Sequence, residues 1–306
     1  MCNHKYFQFF YFSIPRKIEL LVLYYIYYNC MDFFSFQKKI ILPNGYELIG
    51  YSRGSFKTGL MIEPLKIFLD AGVISQYEPN LILITHGHSD HIGELYNILI
   101  GNSRKFKVPI VSTPSLTKLI GNFINANMSL NRNQNAKYNK WEPIGLIDKH
   151  RFTIQNKTIE IKSYRMDHSV ETIGFGISEI RNKLKEEFID KSQEELIEIK
   201  KAYKITEEKE FPLFLFCGDT GTSILETLPF DKYPTVIIEA TFLHEDHIVE
   251  AKEKKHLHIF DLLPYFAKYD KTTFVLIHFS SRYDISELKT YQKIYEETYK
   301  NIFFFL

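Results

Sequence analysis

From residue 36 onward, short apolar runs alternate with stretches of helical spacing, and no Gly/Ser-rich linker interrupts them. Residues 81–84, Leu-Ile-Leu-Ile behind Pro79 and Asn80, read as a strand buried on both faces. The same signature recurs at 110–112, 158–162, 174–177, 213–217, 235–238 and 274–277. Residues 59–62 and 66–69 read as neighbouring strands, the second running into Asp70-Ala71-Gly72. Helices are predicted over 115–124, after His258 and over 285–299, with Pro264 confined to a first turn or a kink. Many short strands with helices between them imply an α/β fold layered about one core. Two segments break the pattern. Residues 122–140 carry seven Asn among few apolar positions and read as a surface loop. Residues 181–210 are dense in Lys and Glu, with Leu184, Phe188, Leu196 and Ile199 spaced among them. They read as a solvated helical face or hairpin, or alternatively as an arm that reaches a substrate.

Composition adjusts this picture modestly. A chain of 306 residues, 45% hydrophobic and 25% charged, can bury a large core and is not disordered. A formal net charge of +1 gives no global attraction for a polyanion, so any RNA-binding surface must be local. Cys2, Cys30 and Cys217 are odd in number and lack framework spacing, which suits a reducing, intracellular setting and argues against a disulfide scaffold or a Cys-based zinc site. Residues 18–28 are apolar and aromatic but fall short of the roughly 20 residues that cross a bilayer. Arg16 and Lys17 precede them and no small-residue cleavage site follows. The expected organisation is therefore an extension over 1–35, dispensable or targeting, followed by one domain over 36–306. No membrane partner is expected.

The candidate chemistry lies just past the 81–84 strand. His86-Gly87-His88-Ser89-Asp90-His91 offers three imidazoles and a carboxylate within six residues. They cannot all face one side of a strand, so the chain must turn there, and Gly87 and Ser89 permit it. Imidazole nitrogen suits zinc, and carboxylate oxygen suits the same ion or a second one. Two ions need more donors, and each further candidate also falls at a strand end: His168, Asp219 in Cys217-Gly218-Asp219-Thr220, and His278.

The stretch from about residue 41 to 299 resembles the metallo-β-lactamase superfamily, and within it the ribonuclease Z family of tRNA 3′-processing endonucleases, in its short plant-type form. His86-Gly87-His88-Ser89-Asp90-His91 is similar to the superfamily signature. His278-Phe279-Ser280-Ser281-Arg282-Tyr283, Glu239-Ala240-Thr241-Phe242 and His256-Leu257-His258-Ile259 resemble motifs of the narrower family. The resemblance implies a four-layer αβ/βα sandwich and two Zn2+ ions, with Mn2+ or another divalent metal as the alternative. His86, His88 and His168 would hold one ion; Asp90, His91 and His278 the other, with Asp219 bridging and Asp70 supporting the cluster. It also implies that His256 and Glu239 assist departure of the leaving oxygen. Ile238 stands where many relatives carry His, and the long protruding arm of bacterial relatives is not evident.

Zinc acidifies bound water to a pKa near 7, which makes a nucleophile available at neutral pH. Asp90 is placed to ligate and to accept a proton, while His256, oriented by Glu239, is suited to protonate a 3′-oxygen. The implied reaction is zinc-dependent removal of the 3′ trailer from precursor tRNA, by a homodimer in the cytoplasm, nucleus or an organelle. Another hydrolase on the same fold, or a non-catalytic RNA-binding relative, is the alternative. Candidate backbone contacts are Lys183, Lys185, Lys200, Lys201, Lys252, Lys254, Lys255 and Arg282. His4, His150, His244 and His247 receive no role.

Overall fold

Burial of the short apolar runs on both faces decides the architecture. The computed structural model describes residues 37–75, 77–101 and 106–306. The expected extension over 1–35, with Cys2, Cys30 and the apolar run 18–28, lies outside the described residues. One seven-stranded sheet is built in spatial order from β1 (Lys38–Ile41), β2 (Glu47–Arg53), β3 (Lys57–Glu63), β4 (Ile67–Leu69), β5 (Leu81–Leu83), β6 (Val108–Ser112) and β7 (Trp141–Gly145). The other holds β8 (Lys149–Ile154), β9 (Lys157–Arg165), β10 (Ile173–Leu184), β11 (Thr206–Phe216), β12 (Thr235–Glu239), β13 (Thr273–Ile277) and β14 (Ile302–Phe304). In each sheet the first four strands pair antiparallel and the rest add in parallel.

Alternate residues of the central strands serve different cores. Leu81, Leu83, Phe214, Phe216, Val275 and Ile277 fill the space between the sheets. Their neighbours Leu215, Ile238 and Leu276 pack outward against α6 (Ile259–Lys268) and α7 (Ile285–Thr298). Ile82 and Ile84 do the same against α2 (Leu95–Ile100) and α3 (Pro114–Arg132). The result is helix, sheet, sheet, helix, the four-layer sandwich that the resemblance implies. Continuous apolar runs are what strands covered on both faces require. Among the described residues no helix is long and apolar enough to cross a membrane.

One expectation needs correction, and two that left alternatives open are narrowed. The Asn-rich segment is not a loop from its start: α3 runs on to Arg132. Ile120, Ile124 and Met128 recur every four residues and are buried on one face, so the helical stripe outweighs composition. The Asn127 and Asn131 side chains bond back to carbonyls within the helix, and Asn133 closes it in the left-handed conformation. Pro264 sits mid-helix in α6 rather than in its first turn, on the exposed side. Residues 181–210 do form an arm. Pairing of β10 with β9 ends at Ile180, and pairing of β11 with β12 begins at Phe214. Beyond those points β10 and β11 pair only with each other, out to Leu184 opposite Thr206. A short helix, α4 (Gln193–Ala202), lies in the connection and starts with a Ser192–Glu195 capping box.

The segment after β4 binds the signature loop to the sheet. Ala71 N–H donates to the His91 carbonyl, and Glu94 N–H donates to the Ala71 carbonyl. Gly72 is packed so closely that a methyl group there would lie 1.7 Å from the Asp90 carbonyl oxygen. Gly72→Ala is therefore expected to destabilise the chain by about 1–3 kcal/mol, the usual range for overpacking, as read by urea denaturation. A change under roughly 0.5 kcal/mol would contradict this account of the loop.

Candidate metal centre

Each signature donor sits where a strand ends and the chain turns. β5 runs out through Ile84 and Thr85 into His86, and the turn then opens α1 (Ser89–Ile92), which carries Asp90 and His91. His168 lies between β9 and β10. Asp219 follows β11 after Gly218, whose φ of +61° and contact with the Thr85 side chain leave no room for a Cβ. His278 follows β13 at φ +62°, its N–H bonded to Ser52 Oγ of the opposite sheet at 3.0 Å.

These side chains converge. His88 Nδ1 lies 3.0 Å from His86 Nε2 and 3.3 Å from His168 Nε2. His91 Nε2 lies 3.3 Å from His278 Nε2, and Asp90 Oδ2 is 3.6 and 3.5 Å from those two nitrogens. Asp219 Oδ2 is within 3.9 Å of His86, His91, His168 and His278 Nε2, while its Oδ1 is buried with no hydrogen-bond partner. His86, His88, His168 and Asp219 form one candidate ligand group, and Asp90, His91 and His278 another.

Hydrogen-bond direction places a proton on the outward Nδ1 of four of these rings. Thr85 Oγ1 donates its only proton to the buried Asp70 carboxylate, so it accepts from His86 Nδ1 at 2.9 Å. His91 Nδ1 donates to Asp70 at 2.8 Å, and His168 Nδ1 donates to the Lys255 carbonyl at 3.1 Å. Thr241 Oγ1 donates to Glu239 and so accepts from His278 Nδ1 at 2.9 Å. With Nδ1–H committed, His86, His91, His168 and His278 in their neutral form turn Nε2 lone pairs into one buried space. With no ion there, burial opposes a charge on His91, but Asp219 and Asp70 outweigh it and hold that ring well above the usual histidine range. Lone pairs facing each other at these distances repel unless a cation lies between them, so the residues present fit divalent metal ions. Burial holds His86 well below the usual histidine range, and it also lowers His88, which favours the neutral ligand form. Burial opposes ionisation of Asp90, but in the absence of an ion a His278 ring protonated toward it and a charged His91 outweigh burial and hold the carboxyl down at about 2. A bound ion would take the place of those protons. Asp219 is likewise well below the carboxylate range, because His278 and His91 outweigh its burial.

Beside this centre stands the His256–Glu239 pair. His256 Nδ1 donates to Glu239 at 2.9 Å, and its ring stacks on His278 with centroids 5.4 Å apart. Burial works against a charged His256, but Glu239 lifts it to about 9. Divalent ions bound next door would pull that value back down. Next to the centre, Arg165, Asp167, His168, Glu171, Ser223 and Lys255 line part of a groove of about 990 Å³.

Several residues of the site escaped the sequence reading. Thr85 and Thr241 hold the histidine tautomers, and a threonine at a strand end carries no signal of that role. The Arg53 guanidinium is buried and donates to the Phe279, Ser280 and Tyr283 carbonyls, fixing the loop after His278. The Tyr283 hydroxyl accepts from the Leu243 and His244 N–H groups and bonds His247 Nδ1, so His247 braces this loop. Of the candidate RNA contacts, Arg282 and Lys254 both pair with Glu250, Lys255 with Asp167 and Lys201 with Glu198.

No family model matches the chain. It is 28% identical over 264 residues to tRNase Z TRZ1 of Arabidopsis thaliana, an alignment covering 83% of this chain and 92% of that protein. The short form of human tRNase Z (ELAC1) superposes with a TM-score of 0.52 at 16% identity, over 84% of this chain and 95% of the other. The metallo-β-lactamase fold protein YhfI from Bacillus subtilis superposes with a TM-score of 0.53 at 13% identity, over 83% and 93%. The chain has the metallo-β-lactamase fold and resembles tRNase Z. The structural matches carry the fold; the sequence match to a tRNase Z carries the narrower likeness.

If the converging lone pairs bind ions only in the folded state, metal must stabilise the fold. Saturation at 100 times Kd contributes about 2.7 kcal/mol for a site that the unfolded chain lacks. Chelation should therefore lower the thermal midpoint and zinc should restore it, while Asp219→Ala should show a much smaller difference. A midpoint indifferent to chelator, with no metal found by elemental analysis, would remove the metal centre.

Proposed function

We propose that the chain is a metal-dependent hydrolase, specifically an endonuclease that removes the 3′ trailer from precursor tRNA with two zinc ions. The observation that carries the proposal is the set of Nε2 lone pairs turned inward beside a histidine–carboxylate pair, in a chain similar to a tRNase Z over 83% of its length. His86, His88 and His168 would hold one ion and Asp90, His91 and His278 the other, with Asp219 reaching both. The domain responsible is residues 36–306, and the resemblance implies a homodimer, which light scattering can read. Bound ions would polarise the phosphoryl oxygens and make water nucleophilic at neutral pH.

The chain's own groups account for the proton movements. Asp90 Oδ2 is held by the Ser55 N–H at 3.1 Å and accepts the proton of the attacking water. His256, with Nδ1–H anchored on Glu239 and a ring nitrogen within 4.8 Å of ligand atoms of Asp219 and His278, would give a proton from its other nitrogen to the departing 3′-oxygen. The groove supplies Arg165 and Lys255 to a phosphate backbone, contacts that position a strand without reading its bases. The 181–210 arm is suited to meet a part of the substrate remote from the cut.

The test is cleavage of a 3′-extended precursor tRNA by the purified chain. A single cut at the trailer junction is expected, abolished by chelator and by Asp90→Ala. His256→Ala should lower kcat about 10²–10⁴-fold, the usual contribution of a general acid, with metal content unchanged. An enzyme that leaves precursor tRNA intact while its bound ions turn over a simple phosphodiester would refute the tRNA assignment.

A further inference from the structure

Glu239, fully buried at the end of β12, is surrounded by donors. The Thr220 N–H reaches Oε1 at 2.7 Å, the Leu257 N–H reaches Oε2 at 3.1 Å, and His256 Nδ1 and the Thr241 hydroxyl complete the set. A carboxyl that meets only donors acts as the ionised acceptor. The single Thr241 proton is therefore committed to Glu239, and the hydroxyl oxygen is left to accept from His278 Nδ1 at 2.9 Å.

That bond enters a competition within His278. Its Nε2 lies 3.5 Å from Asp90 Oδ2 and 3.3 Å from Asp219 Oδ2, two carboxylates that would attract a proton onto Nε2. The tautomer protonated at Nε2 has no lone pair to offer a metal ion. Among the described residues, the Thr241 oxygen is the acceptor that favours the proton at Nδ1. We propose that Thr241 is a positioning residue whose hydroxyl transmits the charge of Glu239 to His278. A single carboxylate thereby orients the imidazole assigned to the leaving group and an imidazole of the metal centre. The inference rests on the metal-centre reading above and not on the identity of the substrate.

Thr241→Val keeps the shape and removes the hydroxyl, whereas Thr241→Ser keeps the hydroxyl. Zinc affinity of the purified full chain is measured by competition with a chromophoric chelator, resolving the two binding steps. Loss of a partner that orients a ligand costs 10–100-fold in metal affinity. The valine variant should lose about that factor at one step and keep the other, and the serine variant should match the unaltered chain. Nitrogen-15 NMR of the metal-free chains should find His278 protonated at Nδ1 with Thr or Ser and at Nε2 with Val. Thr241→Ala answers the same question should the valine chain fail to fold. Two wild-type binding steps in the valine variant, or equal loss in the valine and serine variants, would overturn the role of the hydroxyl. An unaltered chain that binds no zinc would instead overturn the metal reading, and this inference with it.

Discussion

Lone pairs that face one another inside a protein are the constraint on which this structure turns. Four imidazoles present Nε2 to a common buried space, and their outward Nδ1–H groups are each tied to an acceptor. Without those ties the rings would rotate or exchange tautomers to relieve the repulsion. Two buried carboxylates do most of the tying, one at the end of each sheet's central strands. Asp70, just past β4, holds His91 directly and His86 through Thr85; Glu239, ending β12, holds His256 directly and His278 through Thr241. Burying a carboxylate costs several kcal/mol unless donors compensate it, and each of these two meets several donors.

The centre exists only when the two sheets are packed together. His86, Asp90 and His91 come from the first sheet; His168, Asp219 and His278 come from the second. Cross-sheet contacts keep them in register. Ser52 Oγ receives the His278 N–H, Gly54 bridges Ser280, and Arg53 reaches three carbonyls of the loop beyond. Arg53 is a buried charge neutralised by peptide dipoles rather than by a carboxylate in those contacts. Removing it would leave carbonyls without donors as well as the loop without an anchor. Metal affinity and folding are accordingly two readings of one equilibrium.

The signature loop was legible because polarity was out of place. Three imidazoles and a carboxylate directly after Leu81–Leu83 have no reason to follow a buried strand except to serve a ligand. Asp219 and His278 were legible on the same ground, each ending an apolar run. The strands covered on both faces were visible too, since their apolar runs are continuous. Edge elements were not: β1, β7 and β8 are mostly exposed or half-exposed and have no such run. Composition misled at 122–140, where Asn faces solvent and the buried stripe every four residues was the true signal. At 181–210 the strands of the arm lack a second sheet neighbour, so nothing forces an apolar pattern on them. The roles of Thr85 and Thr241 were invisible for a different reason, although Thr241 stands in one of the motifs that resemble the family's. Their effect depends on which way a hydroxyl proton points, and that is fixed only by three-dimensional neighbours.

The same hydrogen bonds bear on what distinguishes this centre from others on its fold. A cluster of imidazoles and carboxylates defines where ions would sit and leaves the leaving group unspecified. In the proposed reaction His256 would add that specification, because a ring anchored at Nδ1 on a buried carboxylate has one nitrogen left for chemistry. Glu239 cannot serve His256 alone, however, since the Thr241 hydroxyl binds it to His278. Any change that alters the charge or place of Glu239 must reach the ion-binding side and the leaving-group side together. On this reading the pair is not an acid added to a finished metal site. It is part of what makes the second half of the site a ligand set at all.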